Sequence, residues 1–176
     1  MTHAPGLYGK LPAHGDFVRR ALPDSFVEPW DAWVQHGMAA ARESLGEVFA
    51  STWEAAPTWC FLLPAGACGP DAAAGVFIPS ADLVGRRFPL ILATLLADAE
   101  AAPDQDFFDA LEQAGRAARQ DARDADALLA ALPDATAGEV PTAPGWWRME
   151  NGAALRWEWP ALPPPTHFRV LVEGGA

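Results

Sequence analysis

Lysine is almost missing from this chain: Lys10 is the only one, and the other cationic side chains are arginines. Cationic residues are few in total, 12 against 23 Asp and Glu, for a net charge of −11. That balance speaks against nucleic acid and against an anionic membrane surface, both of which are held by basic patches. A basic protein partner stays open, and acidity that simply serves solubility is the plainer account. Cysteine is scarce. Cys60 falls in a strand-like apolar run and Cys68 in the turn after it, a spacing that is neither a zinc pair nor a disulfide framework. Reduced thiols, one of them buried, are the expectation. Long apolar runs are also missing, since Leu90 to Ala97 is far short of the ~20 residues that cross a bilayer. The start, Met1 to Pro5, has neither the basic residues nor the apolar run of a signal peptide. A cytoplasmic protein without membrane insertion is expected. No HExxH, no Cys/His cluster and no Gly-x-Ser-x-Gly elbow occurs, so no metal, cofactor or catalytic set is assigned.

Apolar residues are abundant, 51% of 176. That suffices for a real core and points to a single domain spanning 1–176. Leu7 to Leu11 is short, apolar and strand-like, and Pro12 and Gly15 stop it in a polar loop. Asp24 or Ser25 then suits a helix cap, with Pro29 in a first turn. Trp30, Trp33, Val34, Gly37, Met38, Ala41 and Leu45 recur at helical steps with one buried face. A short second helix is expected over Gly46 to Ala56, ended by Pro57. Thr58 to Leu63, Gly75 to Pro79 and Phe88 to Leu96 read as inner strands. The last two, joined by a polar turn over Ser80 to Arg87, form a hairpin at the centre of a sheet covered on both faces.

Asp104 and Asp124 or Asp126 suit the starts of two further helices, whose polar sides are acidic and read as solvated. Thr136 to Gly145 reads as a loop. Asn151-Gly152 between two tryptophan-rich runs is a strong hairpin signal, because both turn positions need positive φ. Pro160 to Pro165 interrupts the chain, and Phe168 to Val172 reads as a last strand. The fold class expected is α/β: a three-layer α-β-α sandwich with a mixed, mainly antiparallel central sheet.

Four constellations carry possible chemistry. Gly9-Lys10 fails as a phosphate loop, because no Gly stands four residues before Gly9 and Leu11 stands where Ser or Thr must reach magnesium. Lys10 is then expected to pair with Asp16 or Asp31, or to meet a partner. His14 and Asp16 lack third and fourth ligands, so a surface histidine beside a turn-forming aspartate is the plainer account. Ser80 and Asp82 follow a strand end, where Asx- and Ser-turns explain them without catalysis. Arg86 and Arg87 suit anion contact or local ion pairs. Eight tryptophans exceed the need of one core, and the dyads Trp146-Trp147 and Trp157/Trp159 cannot all point inward, which suggests an interface, with a Trp-rich core under the hairpin as the alternative.

Two stretches together resemble one family. The run GKLPAHGDFVRR from Gly9 to Arg20, followed by Leu22, Pro23, Phe26, Trp30, Asp31 and Trp33, is similar to the opening of the TagF (ImpM) accessory proteins of type VI secretion. The run VFIPSADLVGRRFPL from Val76 to Leu90 is similar to that family's second block, and the matches cover most of residues 6–96. The resemblance implies a bacterial, non-enzymatic, post-translational regulator, usually a repressor. It implies action by binding the forkhead-associated-domain scaffold protein Fha and withholding it from assembly. Candidate partner-binding residues are Lys10, Asp16, Arg19, Arg20, Arg86, Arg87, Trp146 and Trp147. The competing expectation is a small hydrolase or nucleotide-binding enzyme with a site near His14, Asp16, Ser80 and Asp82. A structural subunit of the secretion machine is a third.

Overall fold

The computed structural model describes residues 3–139, 142–159 and 161–175. Seven strands build one sheet: β1 (Gly6–Gly9), β2 (Val18–Arg20), β3 (Trp59–Leu63), β4 (Ala72–Ile78), β5 (Leu90–Leu96), β6 (Gly145–Glu150) and β7 (Ala153–Trp157). Their spatial order is β2-β1-β5-β4-β3-β6-β7. The α-helices are α1 (Asp24–Leu45), α2 (Phe49–Ala55), α3 (Gln105–Gln120), α4 (Ala125–Ala131) and α5 (Phe168–Glu173). The three-layer α-β-α sandwich is present. Its sheet is antiparallel at every described pairing, so the mainly antiparallel sheet expected from the sequence holds no parallel pair among them.

Strand alternation divides the core into two halves. Tyr8, Trp59, Phe61, Phe77, Ile91 and Trp146 point to the face covered by α1, α2 and α5. Their neighbours Leu7, Cys60, Val76, Leu92 and Trp147 point to the face under α3 and α4. Because both faces are covered, β3, β4 and β5 carry no solvent side, which is why they read as unbroken apolar runs. β4 is the middle strand, and its hairpin with β5 lies at the sheet centre as expected.

The first face is built on aromatic rings. Trp30 stacks on Phe26 at 5.8 Å and lies 5.4 Å from Phe61 and 6.3 Å from Trp146. Trp33 meets Phe168 edge-on at 5.2 Å and donates its indole N–H to the Pro163 carbonyl. Such pairs add specific geometry to the area they bury. Pro29 lies inside α1 rather than at its start, since the helix begins at Asp24. Asp104 and Asp124 do precede α3 and α4, and Asp124 accepts the N–H of Ala127 as a cap.

Three local expectations change. Val18–Arg20, read as loop, is edge strand β2, paired with β1. Phe168–Val172, read as a strand, is α5: Phe168, Leu171 and Val172 bury one helical face, and Arg169 pairs with Glu173 one turn on. Both cysteines, not one, are buried. Asn151 (φ 51°) and Gly152 (φ 79°) make the predicted β6–β7 turn. The loop expected over Thr136 to Gly145 includes Val140 and Pro141, and the interruption from Pro160 includes Pro160 itself; these residues lie outside the described ones.

Candidate functional site

The two motif-bearing stretches meet at one end of the sheet. The connection from β4 to β5 folds back as a small hairpin, with Ala81 bridging Arg87 and Phe88 N–H donating to the Ser80 carbonyl. Asp82 is its inner brace. Its Oδ1 accepts the backbone N–H groups of Val84 and Arg86, at 3.1 and 2.9 Å, as the Asx-turn reading expects. Its Oδ2 accepts Arg86 Nε at 2.7 Å and lies 3.3 Å from Lys10 Nζ. Lys10 therefore pairs with Asp82, not with Asp16 or Asp31. Asp31 instead accepts the hydroxyl of Tyr8, which ties α1 to β1. Burial alone would raise the Asp82 pKa. The Arg86 backbone and guanidinium together with the Lys10 ammonium outweigh it and bring the value down to about 2.

Ser80 and His14 complete the frame. Ser80 Oγ donates to the Lys10 carbonyl at 2.8 Å, and the Ser80 carbonyl accepts the Trp53 indole N–H at 3.0 Å. His14 Nε2 accepts the N–H of Ala125 at 3.0 Å, capping the start of α4, while the His14 carbonyl accepts Leu83 N–H at 2.8 Å. Arg86 also donates to the Gly15 carbonyl. Among the described residues Asp16 accepts only the next backbone N–H, that of Phe17. The enzyme reading needs His14, Asp16, Ser80 and Asp82 to converge on a pocket. Instead Ser80 and Asp82 are buried, His14 faces a helix end, and none of the four lines the cavity beside them.

That cavity, about 430 Å³, lies between the hairpin, the loop after β1 and the flank of α1 that carries Gln35, Met38 and Arg42. Lys10, Arg42, Arg86 and Arg87 line it with Phe17, Gln35, Met38 and Phe88, and no acidic side chain does. Phe17 packs edge-on against Phe88 at 4.8 Å and stacks on Tyr8 at 5.8 Å, with Lys10 Nζ over its ring. Arg87 reaches Glu54 of α2 at 2.7 Å. In the same hairpin, just before the lining residues Gly85, Arg86 and Arg87, the tip exposes Leu83 and Val84, 67% and 70% accessible, and the lining residue Phe17 is 41% accessible. A larger depression, about 620 Å³, follows the outward, mostly polar side of α3 and holds none of the motif residues.

The other candidates scatter. Arg19 pairs with Asp24, and Arg20 with Asp126, at the β2 edge. Trp146 and Trp147 are 0% and 2% accessible, one in each half of the core, so as folded neither offers a surface to a partner. Adjacent strand residues point to opposite faces, and here both faces are covered. Arg42, Leu83 and Val84 were missed. The available signal was two large apolar residues inside a turn that otherwise reads as polar.

The molecule is thus an antiparallel α-β-α sandwich whose loop end carries an internally braced, apolar-tipped hairpin next to a cation-lined recess. The family model described as "TagF N-terminal domain, Type VI secretion system-associated" matches residues 6–135, and the chain belongs to that family. The crystal structure of PA0076 from Pseudomonas aeruginosa PAO1 superposes with a TM-score of 0.79 at 30% identity, covering 97% of this chain and 94% of that one. No curated protein matches the chain. Among the described residues no helix is long and apolar enough to cross a membrane.

Proposed function

We propose that this protein is a cytoplasmic, non-enzymatic regulator of type VI secretion, acting as a repressor after translation. It binds the forkhead-associated-domain scaffold protein Fha of that system and withholds it from assembly. Family membership supports the pathway. One observation supports the mode of action: the polar groups of the loop end are used up inside the protein, while cations and apolar tips face outward. An acyl- or phosphoryl-transfer site needs a nucleophile within reach of a base. Here the Ser80 hydroxyl is directed at a carbonyl, and His14 Nε2 is occupied by a backbone N–H. What faces solvent is suited to holding a macromolecule.

The test is capture of Fha from solution by the immobilised chain. Wild type retains it, and a Leu83→Asp/Val84→Asp double variant with unchanged circular dichroism does not. The reading fails if wild type retains no Fha. It fails equally if purified protein turns over a phosphoester or acyl substrate and Ser80→Ala or His14→Ala abolishes the turnover. Co-sedimentation with assembled sheath or baseplate would instead assign a structural subunit.

A further inference from the structure

We infer that the partner segment taken by this protein is acidic with an apolar anchor, and that it lies across the Leu83–Val84 tip with its carboxylates directed into the Lys10–Arg42–Arg86–Arg87 recess. This deepens the proposed function: it rests on the loop end being a docking surface, and it does not depend on which partner docks. Charge distribution carries it. The chain has a net charge of −11, yet four of its 12 Lys and Arg residues line one cavity without an acid among the lining residues. Asp82 and Glu54 offset two of those four charges. Arg42, exposed on α1, has no carboxylate partner among the described residues and lies 5.1 Å from the Phe49 ring. A molecule of net charge −11 repels an acidic partner over most of its surface and admits it where the lining cations outnumber the acids paired to them, which fixes orientation as well as location.

The apolar component is equally local. Leu83 and Val84 are the two most exposed large apolar residues of the described chain. They stand on a hairpin held from below by Asp82 and from the side by the His14 carbonyl, so little order remains to be imposed when they are covered. Arg86 and Arg87 follow them on the same hairpin; Arg86 is tied to Asp82 and the Gly15 carbonyl and Arg87 to Glu54, yet each guanidinium keeps further N–H groups to donate to a carboxylate. An apolar tip next to a cation-lined recess therefore selects a short motif of leucine-like and carboxylate side chains.

The probe is a fluorescein-labelled peptide of glutamates flanking a leucine pair, compared with its glutamine counterpart and with a lysine counterpart, read by fluorescence anisotropy. Wild type binds the glutamate peptide and binds the other two at least tenfold more weakly. Added salt weakens the glutamate complex, since exposed charge pairs are screened. Arg42→Glu lowers its affinity about tenfold. Leu83→Asp lowers it as well, both variants keeping wild-type circular dichroism. Equal binding of the glutamate and glutamine peptides, or an unchanged affinity in Arg42→Glu, overturns the inference. Capture of Fha that is indifferent to Arg42→Glu and to salt overturns it too, while leaving the regulator reading standing. Tight binding of the glutamate peptide without any capture of Fha supports the surface and removes the proposed partner.

Discussion

Replacing each tryptophan of the Trp146-Trp147 pair with phenylalanine tests whether the two halves of the core are built as described. Trp146 lies among Trp30, Trp33 and Phe61 with its indole N–H buried and without an acceptor. Trp147 packs edge-on against Phe108 at 4.9 Å, under the Arg156 guanidinium, and donates its N–H to Gln105 Oε1 at 2.9 Å. In either case the smaller ring gives up roughly 1–2 kcal/mol of burial and packing. Trp146→Phe also removes an unsatisfied buried donor, whose cost is about 1–3 kcal/mol, so its net effect is close to zero. Trp147→Phe breaks a made hydrogen bond worth about 1 kcal/mol, for a total of roughly 2–3 kcal/mol. The gap of about 2 kcal/mol is measurable by equilibrium urea unfolding followed by far-UV circular dichroism, as a midpoint difference of about 1 M between the two variants. If Trp146→Phe is as costly as Trp147→Phe, the Trp146 indole has a partner in the aromatic cluster and the reasoning fails. Alanine at either position costs about 3–5 kcal/mol, so loss of binding in such a variant would report unfolding and not an interface.

The Asp82 carboxyl, held down to about 2 in the folded chain, contributes stability that is complete above the ordinary carboxylate range, about pH 4, and is lost as pH falls toward 2. The melting temperature should drop across that window, and Asp82→Asn should remove part of the slope. Gly37 of α1 lies against Phe168, where an added Cβ would come within 2.2 Å of the ring. Gly37→Ala is expected to cost about 1–3 kcal/mol of unfolding free energy, and pairing it with Phe168→Leu should recover part of the loss. Burial pushes the Cys60 and Cys68 thiols up to about 12. A thiol reagent at neutral pH should therefore label neither until denaturant unfolds the chain, and rapid labelling of native protein would contradict the burial.

The elements legible in the sequence are those whose burial is uniform. β3, β4 and β5 are covered on both faces and α1 on one, so an unbroken apolar run and a helical repeat declared them. The Asn151-Gly152 turn was legible because its chemistry is local. Phe168–Val172 was misread because its valines suit a strand, while its helical state depends on burying Phe168, Leu171 and Val172 against α1 and on the Arg169–Glu173 pair. β2 escaped because three residues are too few for a period and gain their partners from β1. The Trp146-Trp147 pair misled as an interface candidate for a related reason. Trp157 and Trp159 are half-buried, so the four do not all point inward, but Trp146 and Trp147 both do, because the sheet is covered on both faces at β6's first residues. Pairings across the chain, Lys10 with Asp82 and His14 with Ala125, leave no trace in spacing at all.

Those pairings bear on where partner specificity can reside. Lys10, Ser80 and Asp82, which give the two motif stretches their character, are 7%, 1% and 4% accessible and are held by one another. A substitution among them removes one member of a buried, charge-assisted set and leaves the rest unpaired, so it disturbs the hairpin before any partner arrives. Loss of binding on changing Lys10 would accordingly follow even if Lys10 never touched the partner. Leu83, Val84 and Arg42 stand outside that set, exposed, and the first two are carried on its upper side. If the motif supplies a rigid mount and the tip supplies the contact, Leu83→Asp and Arg42→Glu should change binding at constant stability, and Lys10→Glu should change both. A Lys10→Glu variant that keeps full stability and loses only binding would mean that Lys10 acts solely through the partner and not as part of the brace, and would reverse that division of labour.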